Sequence, residues 1–559
     1  MQIVIPMSGF GERFRTAGYD VPKPLIEIDG KPIIAHVIDM FPAETDFLFI
    51  CNQDHLAVPA FRMESILRQY APSARVVGIA AHKLGPIHAI LQVRELIDPS
   101  RPVVVNYCDF TCYWDWQHFK GFVRESACAG CIPAYKGFHP HSLGKTNYAY
   151  LRESQGWVSD VQEKQPFTAD RMQEYASSGT YYFSSGRMML DAFTRTIDQG
   201  LTVGGEYYVS LAYKLLLSQQ ESVAVYELQH FMQWGTPEDV AEYKNWSQAF
   251  QGLLALPASA GDEPAGSLVM PMAGLGQRFQ DQGYRLTKPL IPVSGRPMVA
   301  QAAHDLPQSD RQAFVLRSDM PGHADISSQI QSIYPRACIE MISTVTEGQA
   351  CTALIGLDAL ERQSTGYTGT GPITFGACDN GALYDAGAFS RLLDDLEVDV
   401  IVWGVRGYAN AIRHPKMFGW IDADASGRIR QISVKTPLAT PATDPIVLGT
   451  FTFRRATDFR ASVDRLIARN GRINNEYYID SAINDAVALG LRCQLFEVDS
   501  YLAWGTPDDL RTFEYWQSAF HKWPGHPYRL ELDRRVPARE VSALEQQYQP
   551  RLPTIPAQR

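Results

Sequence analysis

"PMSGFGERFRTAGYDVPKPLIEIDG" occupies Pro6 to Gly30, and "PMAGLGQRFQDQGYRLTKPLIPVSG" occupies Pro271 to Gly295. Each follows a short apolar run, "QIVI" or "SLVM", of the kind that forms a buried strand. Two glycines, an arginine and a Lys-Pro pair then fill one long loop. A tight turn needs the glycines, but it has no use for a fixed Arg and Lys. Because both copies keep Gly9, Gly11, Arg13 and Lys23 as Gly274, Gly276, Arg278 and Lys288 while neighbouring positions drift, the pattern reads as a phosphate cradle. Glycines let successive N–H groups approach an anion, Arg supplies a planar fork of donors and Lys a compact charge. It is not the dinucleotide fingerprint, since Phe14 stands where the third glycine would be.

Aligning Ile3–Pro42 with Leu268–Pro307 gives 17 identities in 40 positions, where average residue usage would give about two or three. Later landmarks recur at a spacing of 270: "CDF" at Asp109 and "CDN" at Asp379, "GEYYV" and "NEYYI", "WGTPED" and "WGTPDD". The chain is an internal duplication. Short apolar runs alternate with amphipathic stretches through "FLFIC", "ARVVGIA" and "PVVVNYCDF", which predicts two tandem Rossmann-like α/β domains, each a mostly parallel mixed sheet flanked by helices. Ligands of such sheets bind beyond the carboxyl ends of the strands, where the glycine loop and Asp109 both lie. The expected boundaries are domain 1 at 1–250, an Ala-, Pro- and Gly-rich linker at 251–266, domain 2 at 267–525, and a C-terminal arm or partly disordered tail at 526–559.

At 559 residues the chain exceeds what one core can organise, and 45% apolar with 20% charged residues is ordinary for a globular protein. A formal charge of −10 without a basic stripe argues against a nucleic-acid surface, no run approaches a membrane span, and "MQIVIPM" lacks a signal peptide's basic leader, so a cytoplasmic protein is expected. Nine cysteines include Cys128 and Cys131 at zinc-like spacing, but "CAGCIPAY" reads as a buried strand where cysteine is a small hydrophobe. "SLGKTNY" lacks the first glycine of a Walker loop, a place taken by His139.

These motifs resemble the sugar-phosphate nucleotidylyltransferase family, whose signature is Gly-x-Gly-x-Arg followed by Lys-Pro, and the match extends over both copies. "GYDVPKPLI" and "NEYYI…WGTPDDL" are similar to the subgroup found with capsule and lipopolysaccharide synthesis. The resemblance implies a GT-A-like fold and a Mg²⁺-dependent enzyme that joins UTP, CTP or dTTP to a sugar 1-phosphate or similar phosphorylated acceptor and releases pyrophosphate. It implies catalytic roles for Arg13, Lys23, Arg278 and Lys288. Gly9, Gly11, Gly85, Gly274, Gly276 and Gly348 would bind nucleotide, and Asp109 and Asp379 the metal. Lys164 and Lys435 would hold the acceptor phosphate, with Glu206 and Glu476 on the sugar. Homo-oligomerisation is admissible.

Two departures qualify the match. Copy 2 replaces the glutamate of "QEKQPF" by Val434 in "SVKTPL". The second metal aspartate of many members is Gln233 in copy 1 and Ala503 in copy 2. The alternatives are therefore a copy that binds nucleotide or acts as a scaffold without catalysis, or a glycosyltransferase of GT-A type. Against the latter, the strand ends carry "CDFT" and "CDNG" in place of Asp-x-Asp.

Overall fold

The computed structural model describes residues 1–145, 147–255, 266–363, 371–549 and 551–557. Two compact units emerge: Met1–Lys244 with Lys522–His526 and Gln549–Arg559, and Asn245–His521 with Pro527–Tyr548.

In the first unit the strands Arg75–Ile79, Phe47–Asn52, Gln2–Met7 and Val103–Asn106 lie side by side in parallel. Phe47–Asn52 and Val103–Asn106 are buried throughout, which is why they read as unbroken apolar runs and not as alternating ones. Ile87 and Ile90 of the helix Pro86–Leu91, with Phe193 and Tyr213, join Val4, Leu48, Val103 and Val105 in one core.

The remaining strands correct the expectation of a mostly parallel sheet. Thr180–Phe183 runs antiparallel to both Val103–Asn106 and Gly130–Tyr135, and Ala149–Ser154 forms a hairpin with Trp157–Glu163. Its two-residue turn holds Gln155 at φ 53° and Gly156 at φ 85°, the left-handed pair that matches the twist of a hairpin. The strand–helix alternation visible up to Phe110 covers the parallel half alone.

The second unit holds a nine-stranded sheet in which Cys338–Ile342, Arg311–Arg317, Ser267–Pro271 and Ile373–Phe375 are parallel. Ile446–Phe453 is antiparallel to Ile373–Phe375 and Val400–Val405, and Gly419–Ala423 forms a hairpin with Ile429–Val434. Val269, Ala313, Leu357, Phe375, Phe459 and Ile483 share its core.

The expected linker begins inside a helix, Pro237–Ala255, and its residues 256–265 lie outside the described residues. Helix residues from Asn245 count with the second unit because Phe250 packs on Phe513, Phe520 and Tyr528, ring centroids 5.5, 5.4 and 4.7 Å away. Nor is the segment from 526 simply a tail. Pro527–Tyr548 includes the helix Val541–Tyr548, and Tyr528, Leu530 and Arg535 are buried in the second unit. Charged and polar groups mask this in the sequence: Arg535 pairs with Asp305 at 2.8 Å, and Tyr528 donates to Asp533. Among the described residues no helix is long and apolar enough to cross a membrane.

Candidate active site

In the first unit Gln2–Met7 and Val103–Asn106 are neighbours, with Val4 opposite Val105, so the loops leaving their carboxyl ends open side by side. A second ladder brings in a third loop. Phe110–Tyr113 pairs with His230–Gln233, and Trp234 N–H donates to the Asp109 carbonyl at 2.8 Å, which sets Gly235 against the Asp109 carboxylate. The three loops bound a cavity of about 540 Å³. Gly9, Gly11, Arg13, Lys23, Gly85, Asp109 and Glu206 all line it. Lys164 does not, although its ammonium donates to the hydroxyl of Tyr208, which does.

Gly11 sits at φ 64° as the N-cap of the short helix Glu12–Thr16, a left-handed conformation that a side chain resists. Gly9 is bare for another reason: a Cβ there would meet no protein atom within 4 Å, so the open space it faces is the cavity itself. Gly85, at φ 86°, is fixed by the fold. A Cβ would stand 2.7 Å from Tyr207 N, and Tyr207 N–H donates to the Leu84 carbonyl. That packing ties Gly85 to the segment carrying Glu206 and Tyr208.

Lys23 Nζ donates to Asp109 Oδ2 at 2.8 Å, both side chains about one quarter exposed. Burial alone would lower the Lys23 ammonium, and the Asp109 carboxylate overrides it, so its pKa stands above the ordinary value. Asp109 is followed by a strand, Phe110–Tyr113, and so caps no helix. Among the described residues Arg13 forms no ion pair, and it is exposed toward the cavity.

The second unit repeats the local geometry. Gly276 caps Gln277–Asp281 at φ 66°, and Gly274, like Gly9, faces space with no protein atom within 4 Å of a Cβ. Arg278 is exposed at this helix. Lys288 Nζ reaches Asp379 Oδ2 at 2.5 Å and the Gly505 carbonyl at 3.2 Å. Gly348 is crowded by the Tyr477 backbone, and Glu476 is exposed. Lys164 and Lys435 both adopt φ 60°, rare for a non-glycine residue, with their N–H groups on the carbonyls of Tyr148 and Phe418.

Two features went unread in the sequence. Tyr107, His55, His82 and Lys83 line the first cavity, but no motif marks them, and Tyr208 of the "GEYYV" landmark lines it as well. Gln233, at the position of the missing aspartate, donates from Nε2 to Asp239 at 2.7 Å, and its buried Oε1 has no partner among the described residues. Asp239 in turn exchanges hydrogen bonds with Thr236, the reciprocal arrangement of a capping box, and burial pushes its pKa up to about 6. The nearest acid is thus occupied in starting the helix Pro237–Ala255.

This bears on a metal. Among the described residues no three His, Cys, Asp or Glu side chains converge on a point that could hold an ion, Cys128 and Cys131 included, so an all-protein cage does not fit. Asp109 alone, one oxygen shared with Lys23 and its side chain reaching the cavity, fits a magnesium ion whose remaining ligands are waters and substrate phosphates.

Residues 3–172 match the family model of the MobA-like NTP transferase domain. That match gives the part of the first unit it covers, with the sheet and strand-end cavity above, an α/β nucleotidyltransferase-like fold. The chain is 24% identical over 236 residues to the bifunctional protein GlmU of Bacillus licheniformis, covering 41% of this chain and 48% of the relative. It is 36% identical over 110 residues to GlmU of Paraburkholderia xenovorans, covering 20% and 22%. The chain therefore spans about half the length, or less, of these curated relatives. A solved nucleoside-diphosphate-sugar pyrophosphorylase from Vibrio cholerae aligns at 21% identity and TM-score 0.36, over 44% of this chain and 98% of that one.

Proposed function

We propose that both units are nucleotidyltransferase domains and that the chain is a tandem Mg²⁺-dependent nucleotidylyltransferase. Its reaction joins UTP, CTP or dTTP to a sugar 1-phosphate or similar phosphorylated acceptor, with pyrophosphate as the second product, in the supply of capsule or lipopolysaccharide precursors. The observation that carries this reading is the shared cavity: a glycine loop, Arg13 and the Lys23–Asp109 pair meet at the carboxyl ends of two adjacent parallel strands.

In this mechanism the loop N–H groups and Arg13 hold the β- and γ-phosphates. Lys23 lies against the α-phosphate, where charge builds as the bond to the leaving pyrophosphate breaks. The acceptor phosphate is already an anionic nucleophile, so no general base is needed, and positioning with charge neutralisation supplies the acceleration. Asp109 serves two ends: it keeps the Lys23 ammonium oriented, and it would hold the magnesium ion. That ion, when bound, neutralises phosphate charge. Lys164 and Lys435 hold the acceptor phosphate, and Glu206 and Glu476 the acceptor hydroxyls.

The test is pyrophosphate release from the full chain with Mg²⁺, each of the four ribo- and deoxyribonucleoside triphosphates in turn, and a panel of sugar 1-phosphates. Turnover with at least one pair is expected, abolished by the double variant Lys23→Ala/Lys288→Ala. Tight triphosphate binding with no turnover on any acceptor would instead mark a nucleotide sensor.

A further inference from the structure

The sequence comparison leaves the second copy without an acid beside its acceptor lysine, since Val434 stands where the first copy has Glu163. The structure returns one from a different element. In the first unit Glu163 ends the strand Trp157–Glu163, opposite Ala149, and Ser210 Oγ on the helix Val209–Ser218 donates to its Oε2 at 2.6 Å. In the second unit Val434 lies opposite Gly419 in the matching hairpin, and the helix Ile479–Ala488 carries Asp480 at the position of Ser210. A Cβ on Gly419 would press on the tip of the Asp480 carboxylate, so the glycine leaves that side chain the place it occupies, and an alanine such as Ala149 would make it shift.

Three replacements therefore act together: Glu163 to Val434, Ala149 to Gly419 and Ser210 to Asp480. Strand acid becomes aliphatic, the opposing residue shrinks, and the helix hydroxyl becomes a carboxylate. Asp480 is half-buried and within electrostatic reach of Lys435, as Glu163 is of Lys164. Burying an acid costs free energy unless something rewards it. Losing the strand acid without replacing it would have been the cheaper outcome, yet a carboxylate stands beside the lysine in both units.

We infer that Asp480 is the acceptor-recognition carboxylate of the second unit, taking a hydroxyl hydrogen bond from a phosphorylated polyol whose phosphate Lys435 holds. Because this acid enters from the helix and Glu163 from the strand, it meets a different hydroxyl, and the two units prefer different acceptors. This rests on the acceptor reading of Lys164 and Lys435 given above.

The experiment uses the full chain carrying Lys23→Ala, so that the second unit alone turns over. Pyrophosphate release is followed with glucose 1-phosphate, N-acetylglucosamine 1-phosphate and inositol 1-phosphate as probes. Asp480→Asn is expected to raise the acceptor KM about 10- to 100-fold, the scale of one hydrogen bond to a charged group, with kcat and the triphosphate KM little changed. The triple variant Gly419→Ala/Val434→Glu/Asp480→Ser is expected to acquire the acceptor order of the first unit, measured in parallel on the Lys288→Ala chain. If Asp480→Asn does not fold, Asp480→Glu decides by altering the acceptor order. An unchanged acceptor KM in a folded, active Asp480→Asn chain, or an unchanged order in the triple variant, overturns the inference and leaves the transferase reading standing. Silence of the Lys23→Ala parent on every acceptor, with the Lys288→Ala chain still active, overturns the inference together with the transferase reading of the second unit.

Discussion

Lys23 Nζ and Asp109 Oδ2 stand 2.8 Å apart across 86 residues of sequence, and Lys288 and Asp379 meet in the same way across 91. The pair is part-buried but opens on the cavity, where water still reaches it, so its contribution to stability is modest, about 1 kcal/mol. Lys23→Ala should therefore leave the unfolding midpoint almost unmoved while cutting first-unit turnover by roughly 100- to 1000-fold, the usual effect of removing one charge-stabilising donor. Asp109→Asn should impair turnover too and raise the Mg²⁺ concentration needed for half-maximal rate. Steady-state pyrophosphate release in the Lys288→Ala background reads both. A Lys23→Ala chain that melts early but retains first-unit turnover would recast the pair as structural.

Gly11 and Gly85 both have positive φ, but they answer to different constraints. Gly11→Ala meets no atom within 4 Å and pays for conformation alone, about 1 kcal/mol. Gly85→Ala adds a collision with Tyr207 N at 2.7 Å, and a loss of about 2–4 kcal/mol is expected because backbone must shift. Urea unfolding gives the ranking. In triphosphate titrations, Gly11→Ala should weaken binding through the altered loop despite its smaller effect on stability.

What could be read from the sequence follows from what duplication preserves. The glycine loop, Lys23 and Asp109 stand out because a side chain kept twice amid drift signals a local chemical need, and these residues do gather on one cavity. The parallel half of each sheet is legible in its continuous apolar runs. The antiparallel half is signalled by a turn pair, Gln155-Gly156, that strand–helix alternation passes over. Tyr208 and Asp239 lie inside the recurring landmarks "GEYYV" and "WGTPED", but their contacts are not legible there, since they depend on Gly85 locking onto Tyr207 and on Thr236 capping a helix. The exchange of Glu163 for Asp480 is invisible until the register sets Ala149 and Gly419 opposite the positions that changed.

Burial pushes the Glu163 carboxyl up to about 7 from an ordinary 4.5, with Ser210 and Lys164 opposing. Between those two pH values the folded first unit holds a proton that the unfolded chain has released. Stability contributed at this position is therefore complete below pH 4.5, falls as pH rises through the window, and is fully lost above about pH 7. The neutral variant Glu163→Gln removes that dependence. Thermal melts from pH 4.5 to 7.5 should show the wild-type midpoint falling more steeply with pH than that of the variant. Parallel curves would mean that Glu163 is ionised throughout.

Arg535 and Asp305 form a buried ion pair in the second unit at 2.8 Å, their side chains 1% and 5% exposed. The Arg535 guanidinium also lies 5.5 Å from the ring of Trp504, and the backbone N–H of Trp504 donates to the Asp379 carbonyl. Truncating one partner strands the other charge without water, which costs about 3–5 kcal/mol. Arg535→Ala should therefore destabilise the second unit by that amount, and Arg535→Ala/Asp305→Ala should cost less than the single change because no orphan charge remains. Through Trp504 the single variant should also loosen the segment beside Asp379 and slow second-unit turnover at temperatures where the fold persists. Chemical unfolding of both variants supplies the comparison. A single variant as stable as the parent would show that Pro527–Tyr548 lies on this unit without supporting it.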